Sequence, residues 1–190
     1  MKKYFFILAA LATCAACNND PVNPKGPNSP SDAVAAAKGN LVINEVSGNS
    51  KFVELYNICD KAVNLEGVTF IKNEEEGSLW TGVADQVLAA KSYLILYSNK
   101  TSLENPDANY TFAGGLSAKK NVKIEIFDAK GESIDAFVRD GATAWDTTLP
   151  EETDYGFSRV PDGTGEFVYA VETPGAANGE KVKDIDNSTN

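Results

Sequence analysis

Three features of this sequence predict an all-β sandwich. From residue 40 onward, short apolar runs rich in β-branched and aromatic residues recur at intervals of about 8–20 residues. Gly, Asn, Asp and Pro punctuate them, as turn chemistry requires. No stretch of that region carries the 3.6-residue apolar period of an amphipathic helix.

The runs expected as strands are LVINEV (41–46), KFVELYN (51–57), VTFIK (68–72), SYLILYS (92–98), NVKIEIFD (121–128), SIDAFVR (133–139), YGFSRV (155–160) and EFVYA (166–170). Side chains alternate across a strand, so Val53 and Leu55 share one face, read as inward. Phe52, Glu54 and Tyr56 share the other, mixed face. In KIEIFD, Ile124 and Ile126 point inward while Lys123 and Glu125 point out. DAKG (128–131) reads as a hairpin turn, with Gly131 supplying the positive φ. PDGTG (161–165) reads as another. A body of about 140 residues buries near two-thirds of its surface, enough to stand without disulfides.

The chain ahead of this body divides in two. Residues 1–17, MKKYFFILAALATCAAC, carry two lysines, a short apolar stretch and small residues ending in a cysteine. The apolar stretch is too short to span a bilayer. The pattern resembles a bacterial lipoprotein signal, which implies cleavage after residue 16 and lipidation of Cys17. Cys14 is the alternative, with Thr13 a poorer residue before the cut. On this reading Cys59 has no disulfide partner and, with no histidine to activate it, reads as a buried small hydrophobe. Residues 17–39 then form a Pro- and Asn-rich disordered linker. Its span is roughly 25 Å as a coil and about 70 Å as polyproline. Residues 179–190 read as a disordered tail.

Composition closes off whole classes of chemistry. The 190 residues contain no histidine, which removes Ser-His-Asp triads, Cys-His dyads and histidine-ligated metals. Three cysteines exclude a four-cysteine zinc site. The formal charge is -10, and residues 40–178 hold 22 acidic against 11 basic side chains. That balance opposes nucleic acid, and the basic cluster of Lys119, Lys120 and Lys123 is too small to reverse it. Contact with membrane is expected through the lipid anchor only, and the acidic surface favours a monomer.

The ordered pieces LVINEV, KFVELYN and VNLEGVTF (63–70) resemble the opening of a lamin-tail domain. LAAKSYLILYS (88–98), LSAKKNVKIEIFDAKGESIDAF (116–137), FSRVPDGTGEF (157–167) and TPGAAN (173–178) follow in the same order, so the resemblance spans 41–178. It implies an immunoglobulin-like β-sandwich. Bacterial members of that family occur on secreted and surface proteins, alone or beside hydrolases, and this chain leaves no room for a companion enzyme domain.

Candidate chemistry then rests on a few residues. Glu45, Glu54 and Asn57 are polar positions inside the motif strands; they serve either as paired carboxylates of a hydrolase or as side chains that bond loop amides and cap strand ends. Trp145, flanked by Asp140 and Asp146, and Trp80 lie in expected loops, placed either to stack on sugar rings or to cover the core. Asp146, Glu151, Glu152 and Asp154 are the oxygen donors available should calcium bind, although they lack the alternating pattern of a dedicated calcium loop. No other cofactor is expected. DTT (146–148) resembles a short O-glycan acceptor of some gut bacteria, which implies modification of Thr147. The expected function is a lipid-anchored protein of the bacterial outer membrane displaying a non-catalytic module for protein or glycan binding, or for a structural role. A carboxylate-dependent hydrolase or accessory module, and a calcium-stabilised adhesin, are the alternatives.

Overall fold

A computed structural model of the chain describes residues 32–74, 77–102, 107, 110–118, 120–139 and 154–184. It is an all-β, immunoglobulin-like sandwich. The strands are β1 (Val34–Ala35), β2 (Leu41–Ser47), β3 (Phe52–Asn57), β4 (Val63–Asn64), β5 (Thr69–Lys72), β6 (Trp80–Thr81), β7 (Val87–Leu88), β8 (Tyr93–Ser98), β9 (Thr111–Phe112), β10 (Val122–Phe127), β11 (Ser133–Arg139), β12 (Tyr155–Val160), β13 (Glu166–Val171) and β14 (Lys183–Asp184). They form a seven-stranded sheet in the order β14-β13-β12-β2-β3-β8-β9 and a four-stranded sheet in the order β11-β10-β5-β6. A small sheet, β1-β4-β7, joins them.

The alternation read from sequence places the core. Val53, Leu55, Ile124 and Ile126 are fully buried and belong to one apolar cluster with Ile43, Phe70, Leu96, Phe112, Phe137 and Phe157. Burying each such side chain stabilises the fold by about 1.5–3 kcal/mol. Lys123 and Glu125 sit on the opposite face of β10 and pair with each other at 2.8 Å. The 128–131 turn is a hairpin between β10 and β11. Gly131 has φ of 82°, and the Asp128 carboxylate accepts the Lys130 and Glu132 amides at 2.9 and 2.8 Å.

The fold departs from expectation at both ends. Val34 and Ala35 pair in parallel with Val63 and Asn64, so the ordered body starts inside the segment expected as linker. At the other end β14 pairs with Val168 and Tyr169 within the expected tail. Cys59 is buried, at 2% exposure.

One backbone crossing is tight enough to forbid a side chain. Gly82, just after β6, lies against the Leu65 backbone, and a Cβ at residue 82 would stand 1.8 Å from the Leu65 carbonyl oxygen. That contact is with backbone, so rotamer changes cannot relieve it. Gly82→Ala is expected to cost about 1–3 kcal/mol, read as a lower urea midpoint at unchanged slope.

Candidate functional site

The polar residues of the motif strands meet on the outer face of the seven-stranded sheet. In β2 and β3 the register runs Ile43 opposite Leu55, then Glu45 opposite Glu54. Asn44 is therefore the extra residue of a β-bulge. The bulge keeps Ile43 and Val46 in the core while Glu45 faces the same side as Glu54. Side chains directly opposite on neighbouring strands have Cβ atoms about 5 Å apart. Both glutamates, and Asn44, are fully buried.

What buries them is the segment 172–178, which crosses the sheet after β13. Its backbone amides point down: Thr173 N–H donates to Glu45 at 3.2 Å and Gly175 N–H donates to Glu54 at 2.6 Å. Asn44 Nδ2 donates to Glu54 at 3.0 Å and to Asp162 at 3.3 Å, while its Oδ1 accepts the Gly163 amide at 2.9 Å. Asn178 completes the closure. Its amide N–H donates to Asp162 at 3.0 Å, and its side-chain Nδ2 donates to the carbonyls of Asn44 and Arg159 at 3.2 and 2.9 Å. Tyr93 donates its hydroxyl to Asp162 at 2.5 Å. Glu172 accepts from the hydroxyls of Ser47 and, at 2.5 Å, Ser50.

Burial disfavours charge on these acids. It pushes the Glu45 carboxyl up to about 8, with the neighbouring Glu54 charge adding to the effect and the Thr173 amide opposing it. Burial likewise raises Glu54 to about 7 against the Gly175 and Asn44 hydrogen bonds, and it raises Glu172. The Tyr93 hydroxyl is raised by burial and by its bond to Asp162.

Asn57 does comparable work at the end of β3. Its Nδ2 donates to the carbonyls of Lys61, Leu88 and Ala89 at 2.8, 3.0 and 2.9 Å, and its Oδ1 accepts the Cys59 amide at 2.9 Å. Of the two readings of Glu45, Glu54 and Asn57, the structure displays the second: they bond loop amides and hold strand ends. Glu45 and Glu54 are adjacent, yet they line no open cleft.

A second polar tie joins the two main sheets. Asp135 on β11 accepts the Ile43 amide at 2.9 Å and both carboxylate oxygens stand 3.2 Å from Arg159 Nη2. Arg159 also donates to the Ile43 and Gly165 carbonyls, each at 2.9 Å, and lies 4.3 Å over the Phe167 ring.

The binding candidates read from sequence fare differently. Trp80 is not in an exposed loop: it lies on β6, 5% exposed, inside the core cluster, so its indole covers the sandwich interior and its assignment as a stacking surface is corrected. The reason is pairing, since Trp80 sits opposite Phe70 of β5. Asp154 is exposed, and its carbonyl accepts the Glu172 amide at 3.1 Å. Cys17, Asp140, Trp145, Asp146, Thr147, Glu151 and Glu152 lie outside the described residues. Among the described residues no group of three or more Asp, Glu or Cys is placed to hold a metal ion. Lys123 is paired with Glu74 at 2.9 Å as well as with Glu125. Sequence reasoning missed Asn44, Asp135, Arg159, Asp162, Glu172 and Asn178. The signals in the sequence were TPGAAN, which reads as a fold marker and holds Asn178, PDGTG, which reads as a turn and holds Asp162, and the LVINEV strand, which holds Asn44.

A sandwich of this topology, with its buried acids bonded to its own backbone, is an immunoglobulin-like module. The lamin tail domain family matches residues 34–140, and the chain belongs to that family. A search of curated proteins finds no match. The family match begins where β1 begins and stops before β12, so the covering segment 172–178 lies outside it.

Proposed function

We propose that this chain is a lipid-anchored protein of the bacterial outer membrane whose lamin tail domain recognises an envelope protein or glycan, or braces the envelope, without catalysing a reaction. One observation supports this most: the paired carboxylates of the motif strands are closed under residues 172–178 and bonded to backbone amides. They therefore support a rigid scaffold and are withheld from any substrate. Recognition on such a scaffold falls to loops. The proposed contacts are the loop region 73–87, where Asn73, Glu74 and Asp85 are exposed and Val83 is 49% exposed, together with the 140–155 region and its Trp145, Asp140 and Asp146. Cys17 is the proposed anchor, and the 17–39 segment, up to β1, the tether.

Two measurements test this. Metabolic labelling with an alkyne fatty acid is expected to tag the chain and to fail for Cys17→Ala, which should leave the membrane fraction; equal labelling of the variant removes the anchor assignment. Probing an array of glycans and envelope proteins should give a partner lost on alanine replacement of Trp145 with the exposed residues of 73–87. A partner that survives those changes places recognition elsewhere.

A further inference from the structure

The segment 172–178 is attached in an unusual way. Pro174, Gly175, Ala176 and Ala177 are all exposed, so it contributes no buried apolar side chain. It is held by hydrogen bonds, and the sheet-side partners are mostly acids: Glu45, Glu54 and Asp162 accept the amides of Thr173, Gly175 and Asn178. The groups facing this cluster are of one sign or neutral. Glu45 comes from β2, Glu54 and Tyr56 from β3, Tyr93 and Tyr97 from β8, Asp162 from the 161–165 turn, Glu172 from the segment itself, and Asp154 from the start of β12. Arg159 of β12 turns to the other face of the sheet, where it meets Asp135. Among the described residues no lysine or arginine forms an ion pair with Glu45, Glu54, Asp162 or Glu172.

We propose that residues 172–178 are a proton-operated latch, closed on the sheet while the Glu45–Glu54 pair retains a proton and released when both carboxylates ionise. Two apposed buried anions that no cation among the described residues pairs with regain hydration by lifting a cover that has no buried apolar side chain. The direction follows from the raised carboxyls. The closed form holds protons that the open form releases, so closure is strongest at acid pH and weakens as pH rises from about 4.5 to about 8. Release would bare Glu45, Glu54 and Ile95, which lies against Gly175, on the outer sheet face beside the open hollow lined by Asp162, Asn178 and Glu180.

The test is amide hydrogen exchange by NMR on the intact chain between pH 6 and pH 9, corrected for intrinsic rates. Protection of the Thr173 and Gly175 amides is expected to fall about tenfold or more while the β10 amides of Ile124 and Ile126 hold. In Glu45→Gln/Glu54→Gln, which keeps the acceptor oxygens but cannot ionise, the pH response should vanish. Strap protection that is flat with pH, that falls in step with β10, or that retains its pH response in the double variant overturns the proposal. If the double variant does not fold, the wild-type comparison of strap with β10 decides alone.

Discussion

Asp135→Ala is expected to lower the unfolding free energy by about 3–5 kcal/mol. Asp135 reaches β2 from the four-stranded sheet beside the bulge. Removing it strands the Ile43 amide and the Arg159 guanidinium beside it. The two side chains are only 18% and 17% exposed, so solvent restores little of what is lost. Arg159 would keep its bonds to the Ile43 and Gly165 carbonyls and its place over Phe167, leaving an uncompensated charge between the sheets. Asp135→Asn retains an acceptor for Ile43 and is expected to cost less, about 1–2 kcal/mol. Urea unfolding of both variants measures the difference. A loss below 1 kcal/mol for the alanine variant would mean that the tie is ornamental.

Asn57→Ala is the second large effect, at about 4 kcal/mol. A single fully buried amide there serves three carbonyls and one N–H, from the 57–61 turn and from Leu88 and Ala89 at the end of β7. Each unpaired buried group costs about 1–3 kcal/mol, partly relieved by local movement. For a domain of this size the melting temperature should fall on the order of 10 °C. Asn57→Asp should be no better, since it removes the donors and buries a charge. A drop of only one or two degrees in the alanine variant would show that the 57–61 turn and the 88–89 segment hold themselves.

The sequence was most legible where a strand is long enough to show its period. All eight runs expected as strands are strands, and the inward positions of β3 and β10 are buried, although in β3 the outward Phe52 and Glu54 are buried as well. The two-residue strands β1, β4, β6, β7, β9 and β14 were not legible, because two residues carry no alternation and their pairing is dictated by partners elsewhere. Trp80 was misplaced for that reason: its neighbours Gly77 and Gly82 signal a loop, and only its pairing with Phe70 turns the ring inward. Glu45, Glu54 and Asn57 stood out because polar residues interrupt apolar strands. Their partners did not. Thr173 meets Glu45, Gly175 meets Glu54 and Asn178 meets Asn44 through sheet topology across more than 115 residues of chain, and the bulge at Asn44 is visible only in the register with β3.

On the proposed function, these carboxylates build the fold and perform no reaction. The most direct measurement incubates the wild-type chain and Glu45→Gln/Glu54→Gln with the arrayed glycans at pH 6 and assays for new reducing ends, with partner binding read alongside. No turnover by either protein and the same bound partners for both are expected. Turnover by the wild type that disappears in a folded double variant would contradict the proposed function, and would make the covered pair a catalytic one.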